Sequence, residues 1–316
     1  MHQTNEIVIQ THALSKSYKD VLALKSLDLS VRKNSIFGFL GPNGAGKTTT
    51  IKLLLGLISP TAGRATVFGQ DIVRDSVAIR SRIGYLPQAL RFYEHMTARQ
   101  ILRYTVGFYL QGSKREIERR IAETLELVGL SDKADRPIKG FSGGELQRVG
   151  IGQAQVHYPD LLILDEPAAS LDPMGRRDVL EVMERLRKHA TIFYCTHILD
   201  DVQKISDTVA ILNHGELVAY GPIEELLTRG DIVYAVTIKG DAASAHARVS
   251  GEAWVSKIEV SRDGDASTWL VTVTDQEIAE AQLLPLILAG GSARVVNMGL
   301  KEYELEDVFM NVVEGK

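Results

Sequence analysis

Cysteine is all but missing from this chain: Cys195 is the only one in 316 residues. An internal disulfide is therefore excluded, and the chain suits a reducing compartment. Cys195 ends the apolar run Ile192-Phe193-Tyr194-Cys195, so a buried core residue is expected there rather than a reactive thiol. Uninterrupted apolar runs of ~18 residues are also absent, so no segment is expected to span a bilayer. The start, Met1-His2-Gln3-Thr4-Asn5-Glu6, carries no basic-then-apolar leader. Basic residues (36) do not exceed acidic ones (40), and a net charge of −4 offers no basic face to nucleic acid. Short repeats and low-complexity tracts are missing too.

What is present is ordinary in bulk. Apolar residues make up 45% and charged residues 24%, which suits a soluble chain with a real core. The length suggests two domains. One local feature is not ordinary. Gly41-Pro42-Asn43-Gly44-Ala45-Gly46-Lys47-Thr48 has the form G-x-x-x-x-G-K-T, with Thr49 following. Such a loop turns backbone N–H groups toward a polyphosphate, places a lysine on the β- and γ-phosphates and offers a hydroxyl to Mg²⁺. A helix starting near Thr48 adds the positive end of its dipole. The preceding apolar run Ile36–Leu40 predicts the strand that this motif needs. Leu161–Asp165, Ile192–Thr196 and Thr208–Leu212 predict further strands, the last pairing with Glu216–Tyr220 across Asn213-His214-Gly215. Alternation with helical patterns predicts an α/β sheet with helices on its faces. Ile101 to Leu110, Ile117 to Val128 and the segment after Asp172-Pro173 read as helices.

A second run narrows the reading. Phe141-Ser142-Gly143-Gly144-Glu145, followed by Gln147-Arg148 and then the acidic strand Leu161 to Glu166, resembles the signature motif of ABC ATPases. The resemblance covers residues 6 to about 225 and continues more weakly to the C-terminus. It implies a P-loop NTPase nucleotide-binding domain over residues 1–228, with a helical insert over about 89–148. It also implies ATP and Mg²⁺ as cofactors and assigns roles by position. Lys47 contacts the phosphates. Thr48 and Asp165 hold Mg²⁺, Asp165 through water. Glu166 is the general base for the attacking water. Gln88, in Gly84-Tyr85-Leu86-Pro87-Gln88, reaches the metal or that water. His197 contacts the γ-phosphate, and Tyr18 stacks on adenine. Ser142, Gly143, Gly144 and Glu145 close the nucleotide site of an opposing copy. Ser170-Leu171-Asp172 crosses the interface of that head-to-tail dimer.

The chain departs from the common pattern at three places. Phe141 stands for Leu, Glu145 for Gln, and Ala168-Ala169-Ser170 for Thr-Ser-Gly. Glu145 would put a charge near the ribose and weaken nucleotide-driven closure slightly. Beyond a boundary at Thr228-Arg229-Gly230-Asp231, residues 231–316 predict a small ferredoxin-like α+β domain in β-α-β-β-α-β order: Ile232–Ile238, Asp241–Val249, Ala253–Val260, Trp269–Val273, Gln276–Leu288 and Ala293–Asn297. The tail Tyr303-Glu304-Leu305-Glu306-Asp307-Val308-Phe309 resembles the end of ATPases from bacterial drug, antibiotic and lantibiotic exporters, although an amphipathic helix end reads equally well. The function expected is the ATPase of an ABC exporter, paired with a separately encoded membrane permease at the cytoplasmic face of the membrane. The partner ATPase is a second copy or a related chain. Sodium or envelope-component export, metalloenzyme maturation and a soluble non-transport ABC ATPase are the alternatives.

Overall fold

The computed structural model describes residues 6–227, 232–240, 242–301 and 304–313. The boundary Thr228-Arg229-Gly230-Asp231, the helix start Asp241 and the tail residue Tyr303 lie outside the described residues. Two units are present, one ending at Ile223 but regaining the helix Leu305–Val313, the other spanning Glu224–Glu304. The sequence boundary had carried the second domain through to residue 316. In the first unit Leu305 is buried, and its backbone N–H donates to Gln203 Oε1 at 2.9 Å.

A six-stranded sheet carries the cradle near its middle. Its order is Glu216–Pro222, Thr208–Asn213, Ile36–Leu40, Thr191–Thr196, Leu161–Asp165, Ile83–Leu86. Only the first pair is antiparallel. Parallel strands covered on both faces read as continuous apolar runs, which is why these were legible. Phe37 and Phe193 stack at 5.4 Å inside this layer. The register sets Leu40 beside Thr196 and Asp165 beside Cys195. The cradle, the acidic pair and His197 therefore leave the sheet at one edge, where α/β folds bind ligands.

A second sheet, Val21–Arg32, Ile7–Tyr18, Ala62–Val67 and Gln70–Asp71, is antiparallel and was not anticipated. Ala13 and Ser26 adopt positive φ of 48° and 47°, and the register slips repeatedly between the two long strands. Each slip breaks the alternation by which a half-buried strand is read.

The insert holds the helices Ala98–Val106, Lys114–Leu127 and Gly143–Gln155. The first stops short of the expected Leu110. Gly107 follows Val106, and the bonds Phe108 N–H to Thr105 O and Tyr109 N–H to Val106 O tighten the chain out of the helix. Strand Ile83–Leu86, also unanticipated, presses against the last of these helices. A methyl group on Gly84 would lie 2.0 Å from Ala154 O, a backbone atom that cannot swing away. Gly84→Ala is therefore expected to destabilise the first unit by about 1–3 kcal/mol or more, as overpacking does. A urea midpoint unchanged from wild type would refute the close approach.

The second unit is a four-stranded antiparallel sheet in the order Val255–Asp263, Ala266–Val273, Ile232–Gly240, Ala293–Leu300. The helices Ala243–Ser250 and Gln276–Leu288 supply Val249, Leu283 and Ile287 to a core with Val236, Trp269 and Val271. The β-α-β-β-α-β order is the ferredoxin-like one.

Candidate active site

The cradle runs from strand Ile36–Leu40 into the helix Lys47–Leu54. Its glycines are required in different ways. Gly46 takes φ +110°, and a side chain there would meet Ala23 O at 2.6 Å. Gly41 has ordinary φ, but a methyl group would sit 2.4 Å from Leu212 O. Lys47 is buried. Its Nζ donates to Gly41 O at 2.5 Å and Pro42 O at 3.3 Å, and faces Glu166 Oε1 at 3.4 Å. Thr48 Oγ1 donates to Asp165 Oδ2 at 3.4 Å.

Asp165 and Glu166 are both buried at the end of strand Leu161–Asp165. Glu166 adopts φ 52°, a left-handed conformation rare for a non-glycine residue, and its N–H donates to Cys195 O at 2.9 Å. This turn aims the carboxylate back at the cradle. Glu166 Oε2 lies 3.0 Å from His197 Nδ1. If Nδ1 carries the proton, it donates to Oε2 and leaves Nε2 free to accept. Burial, then the adjacent charge of Glu166, push the Asp165 carboxyl above the usual carboxylate range; Thr48 and Lys47 pull it back. Burial also pushes the Cys195 thiol far up, which keeps it inert, as its apolar run suggested.

A cleft of about 170 Å³ joins these groups. Pro42, Asn43, Gly44, Gly46, Lys47, Thr48, Thr49, Gln88, Asp165 and Glu166 line it, together with Ala23, a residue the sequence did not single out. Gly41 and buried Ala45 complete the loop behind it. His197 reaches the cleft through Glu166. Tyr18 does not line it; its ring is 42% exposed, with Lys16 Nζ 5.3 Å from the centroid.

The signature residues do not line the cleft either. Ser142 caps the helix Gly143–Gln155, its Oγ accepting from Glu145 N–H at 3.3 Å. Glu145 returns the bond, Oε2 accepting from Ser142 N–H at 2.8 Å, and its other oxygen pairs with Lys133. The carboxylate expected to stand near a ribose is thus engaged within its own chain. These bonds hold it below the usual carboxylate range although burial opposes them. A methyl group on Gly144 would come within 3.1 Å of Gly175 Cα, so this helix meets the helix Pro173–Leu186 backbone to backbone. Ser170, at φ 61°, Leu171 and Asp172 lead into that second helix, and Asp172 Oδ1 caps Gly175 N–H at 3.2 Å. The structure thus brings Ser142–Glu145 and Ser170–Asp172 together, apart from the cleft of Lys47.

An ABC transporter family model matches residues 24–169. An uncharacterized ABC transporter ATP-binding protein of Bacillus subtilis, YxlF, is 37% identical over 97% of this chain and 99% of its own length. The chain belongs to the ABC transporter ATP-binding family. It is an ABC ATPase. The bacitracin transport ATP-binding protein BcrA of Bacillus licheniformis is 34% identical over 98% of each chain. Among solved structures, cbiO1 of Clostridium perfringens, part of the ABC transporter complex cbiONQ, is 27% identical. It superposes with a TM-score of 0.66 over 71% of this chain and 92% of its own.

The residues of this ABC cassette fit the groups that the family implies. Gly41 and Gly46 let the loop backbone pack closer than any side chain would allow, the close backbone approach that a triphosphate cradle needs. Thr48 and Asp165 present two hard oxygens side by side, and a raised carboxyl next to a second carboxylate is a place where a cation is favourable. Among the described residues no group of three His, Cys, Asp or Glu forms a metal cage. Mg²⁺ is held by one or two protein oxygens plus substrate phosphates, and Thr48 and Asp165 offer such a pair of oxygens. Again among the described residues, no helix is long and apolar enough to cross a membrane.

Proposed function

We propose that this chain powers an exporter whose membrane part is a separate polypeptide, working at the cytoplasmic face of the membrane with a second ATPase copy or a related chain. One observation carries the pairing. The cleft holds Lys47, Thr48 and both carboxylates, while Ser142–Glu145 and Ser170–Asp172 lie together outside it. A head-to-tail dimer brings the signature of one copy to the cleft of the other. The similarity to a bacitracin transport subunit over almost the whole of both chains supports a drug, antibiotic, peptide or lipid-like cargo.

In this reading the cradle N–H groups and Lys47 bind the triphosphate. Thr48 and Asp165 would hold Mg²⁺, with Gln88 at the same cleft wall, and the ion would supply charge neutralisation for the phosphoryl group. Glu166 takes a proton from the attacking water. His197 keeps Glu166 oriented from Nδ1, and contacts the γ-phosphate from Nε2 when that nitrogen carries a proton as well. Tyr18 supplies an exposed ring for adenine. Closure follows because the closed dimer makes phosphate contacts from Ser142 that the open one lacks, and hydrolysis removes them. Coupling runs through a groove of about 400 Å³ between sheet and insert, lined by Leu57, Tyr85, Pro87, Tyr109 and His157. Tyr93 stands 71% exposed in the segment that follows Gln88.

The test is a pull-down from detergent-solubilised membranes with the chain carrying Glu166→Gln. A stoichiometric multi-span protein in the eluate is the expected result. Recovery of ribosomal or DNA-associated proteins alone would overturn the exporter reading.

A further inference from the structure

We infer that Lys133 is a positioning residue for the signature, offsetting the charge of Glu145 so that this segment can close on a triphosphate. The inference rests on the head-to-tail pairing proposed above. Glutamine at the position of Glu145 would be neutral; here a carboxylate stands three residues into a segment that must approach a polyanion. Like charges brought together in a partly desolvated interface repel strongly. The structure supplies the compensation from the insert. After the helix Lys114–Leu127 the chain makes a single turn, Ser131–Lys133, fixed by Lys133 N–H donating to Leu130 O at 3.1 Å. From that turn the Lys133 ammonium reaches the Glu145 oxygen that Ser142 N–H does not use.

Among the described residues, no cation other than Lys133 is paired with Glu145. Arg148, one turn further along the helix Gly143–Gln155, donates to Val128 O at 3.4 Å and Gly129 O at 3.2 Å and faces Asp178 at 3.7 Å. The pair is also partly shielded: the side chain of Glu145 is mostly buried and that of Lys133 about one-third exposed. Charge neutrality at the tip of the signature therefore depends on one lysine from another part of the insert. Because the same carboxylate accepts from the Ser142 backbone N–H, Lys133 also steadies the backbone at the head of the signature. It does not line the cleft of Lys47, and acts through Glu145.

The experiment follows ATP-driven dimerisation of the full chain in a Glu166→Gln background, which holds ATP unhydrolysed. Lys133→Met is expected to raise the ATP concentration for half-maximal dimer about tenfold, equivalent to about 1.4 kcal/mol. Adding Glu145→Gln should restore it, because the charge that Lys133 offsets is then gone. Lys133→Arg should stay close to wild type. A purely structural role predicts a lower melting temperature and no rescue by Glu145→Gln, and that outcome overturns the inference. So does an unchanged ATP dependence in Lys133→Met. Absence of any ATP-driven dimer with Lys133 intact would instead overturn the head-to-tail reading itself.

Discussion

Glu166→Gln is expected to slow ATP hydrolysis by about 10²–10⁴-fold, the usual cost of losing a general base, while ATP binding survives. The geometry separates these two effects. Glutamine keeps the size of glutamate, so the φ 52° turn and the N–H bond to Cys195 O impose no new demand. It cannot accept a proton at neutral pH, so the water lacks its base. Binding is carried by the cradle and by Lys47, which now faces a neutral amide instead of a carboxylate at 3.4 Å. The ammonium is freer to serve phosphate, so affinity should hold or rise. Asp165 responds as well. Part of its upward shift comes from the charge of Glu166, and removing that charge brings the carboxyl back toward its ordinary range. An ionised Asp165 is the form that Mg²⁺ needs. Single-turnover phosphate release, measured beside equilibrium nucleotide binding, checks both halves. A rate within tenfold of wild type would sink the assignment of Glu166, and lost binding would show that its pairing with Lys47 organises the cleft instead.

Legibility in the sequence followed one physical division. Ile36–Leu40 and Leu161–Asp165 were legible to the residue because a strand buried on both faces is a continuous apolar run, bounded here by a glycine loop and an acidic pair. The cleft residues were legible for a related reason: the cradle, Gln88 and the acidic pair are each short local motifs, and the sheet register does the gathering. The antiparallel sheet was hidden because bulges near Ala13 and Ser26 interrupt the period of two. The early end of Ala98–Val106 was hidden because Tyr109 and Leu110 continue the apolar spacing past Gly107. Glu145 shows the other limit. Its identity was plain, but its partner Lys133 comes from a turn with no motif of its own, so a free charge was expected where a neutralised one stands. Ala23, at the cleft wall, likewise carries no signal, since its backbone does the work.

Arg176→Ala is expected to cost about 3 kcal/mol of stability at pH 8, the lower end of the range for breaking a buried ion pair. Arg176 lies on the helix Pro173–Leu186, just after Ser170–Asp172. Its Nε donates to Asp201 Oδ1 at 2.5 Å, across to the helix Leu199–Ile205 that follows His197. Asp201 is 1% exposed, and its Oδ2 finds no partner. The same guanidinium donates to Asp200 Oδ2 at 3.3 Å, which Lys204 also contacts at 2.9 Å. Removing Arg176 leaves a carboxylate in the core with nothing to offset its desolvation; the lower figure is chosen because the Arg176 side chain is itself 28% exposed. The pH dependence has a definite sign. Burial already pushes the Asp201 carboxyl above its ordinary value, against the pull of Arg176. Without Arg176 it must rise further. A raised carboxyl contributes stability that is fully present below its unfolded pKa and is lost as pH rises through the folded one. The deficit of Arg176→Ala should therefore be largest near pH 8 and smaller near pH 5, the side toward which the raised Asp201 carboxyl takes up its proton. Adding Asp201→Asn should recover part of the loss at pH 8, since an amide needs no counter-charge. Urea unfolding of the single and double variants at both pH values measures this. An equal deficit at the two pH values, without recovery in the double variant, would mean that Arg176 stabilises through the packing of its stem and not through the charge of Asp201.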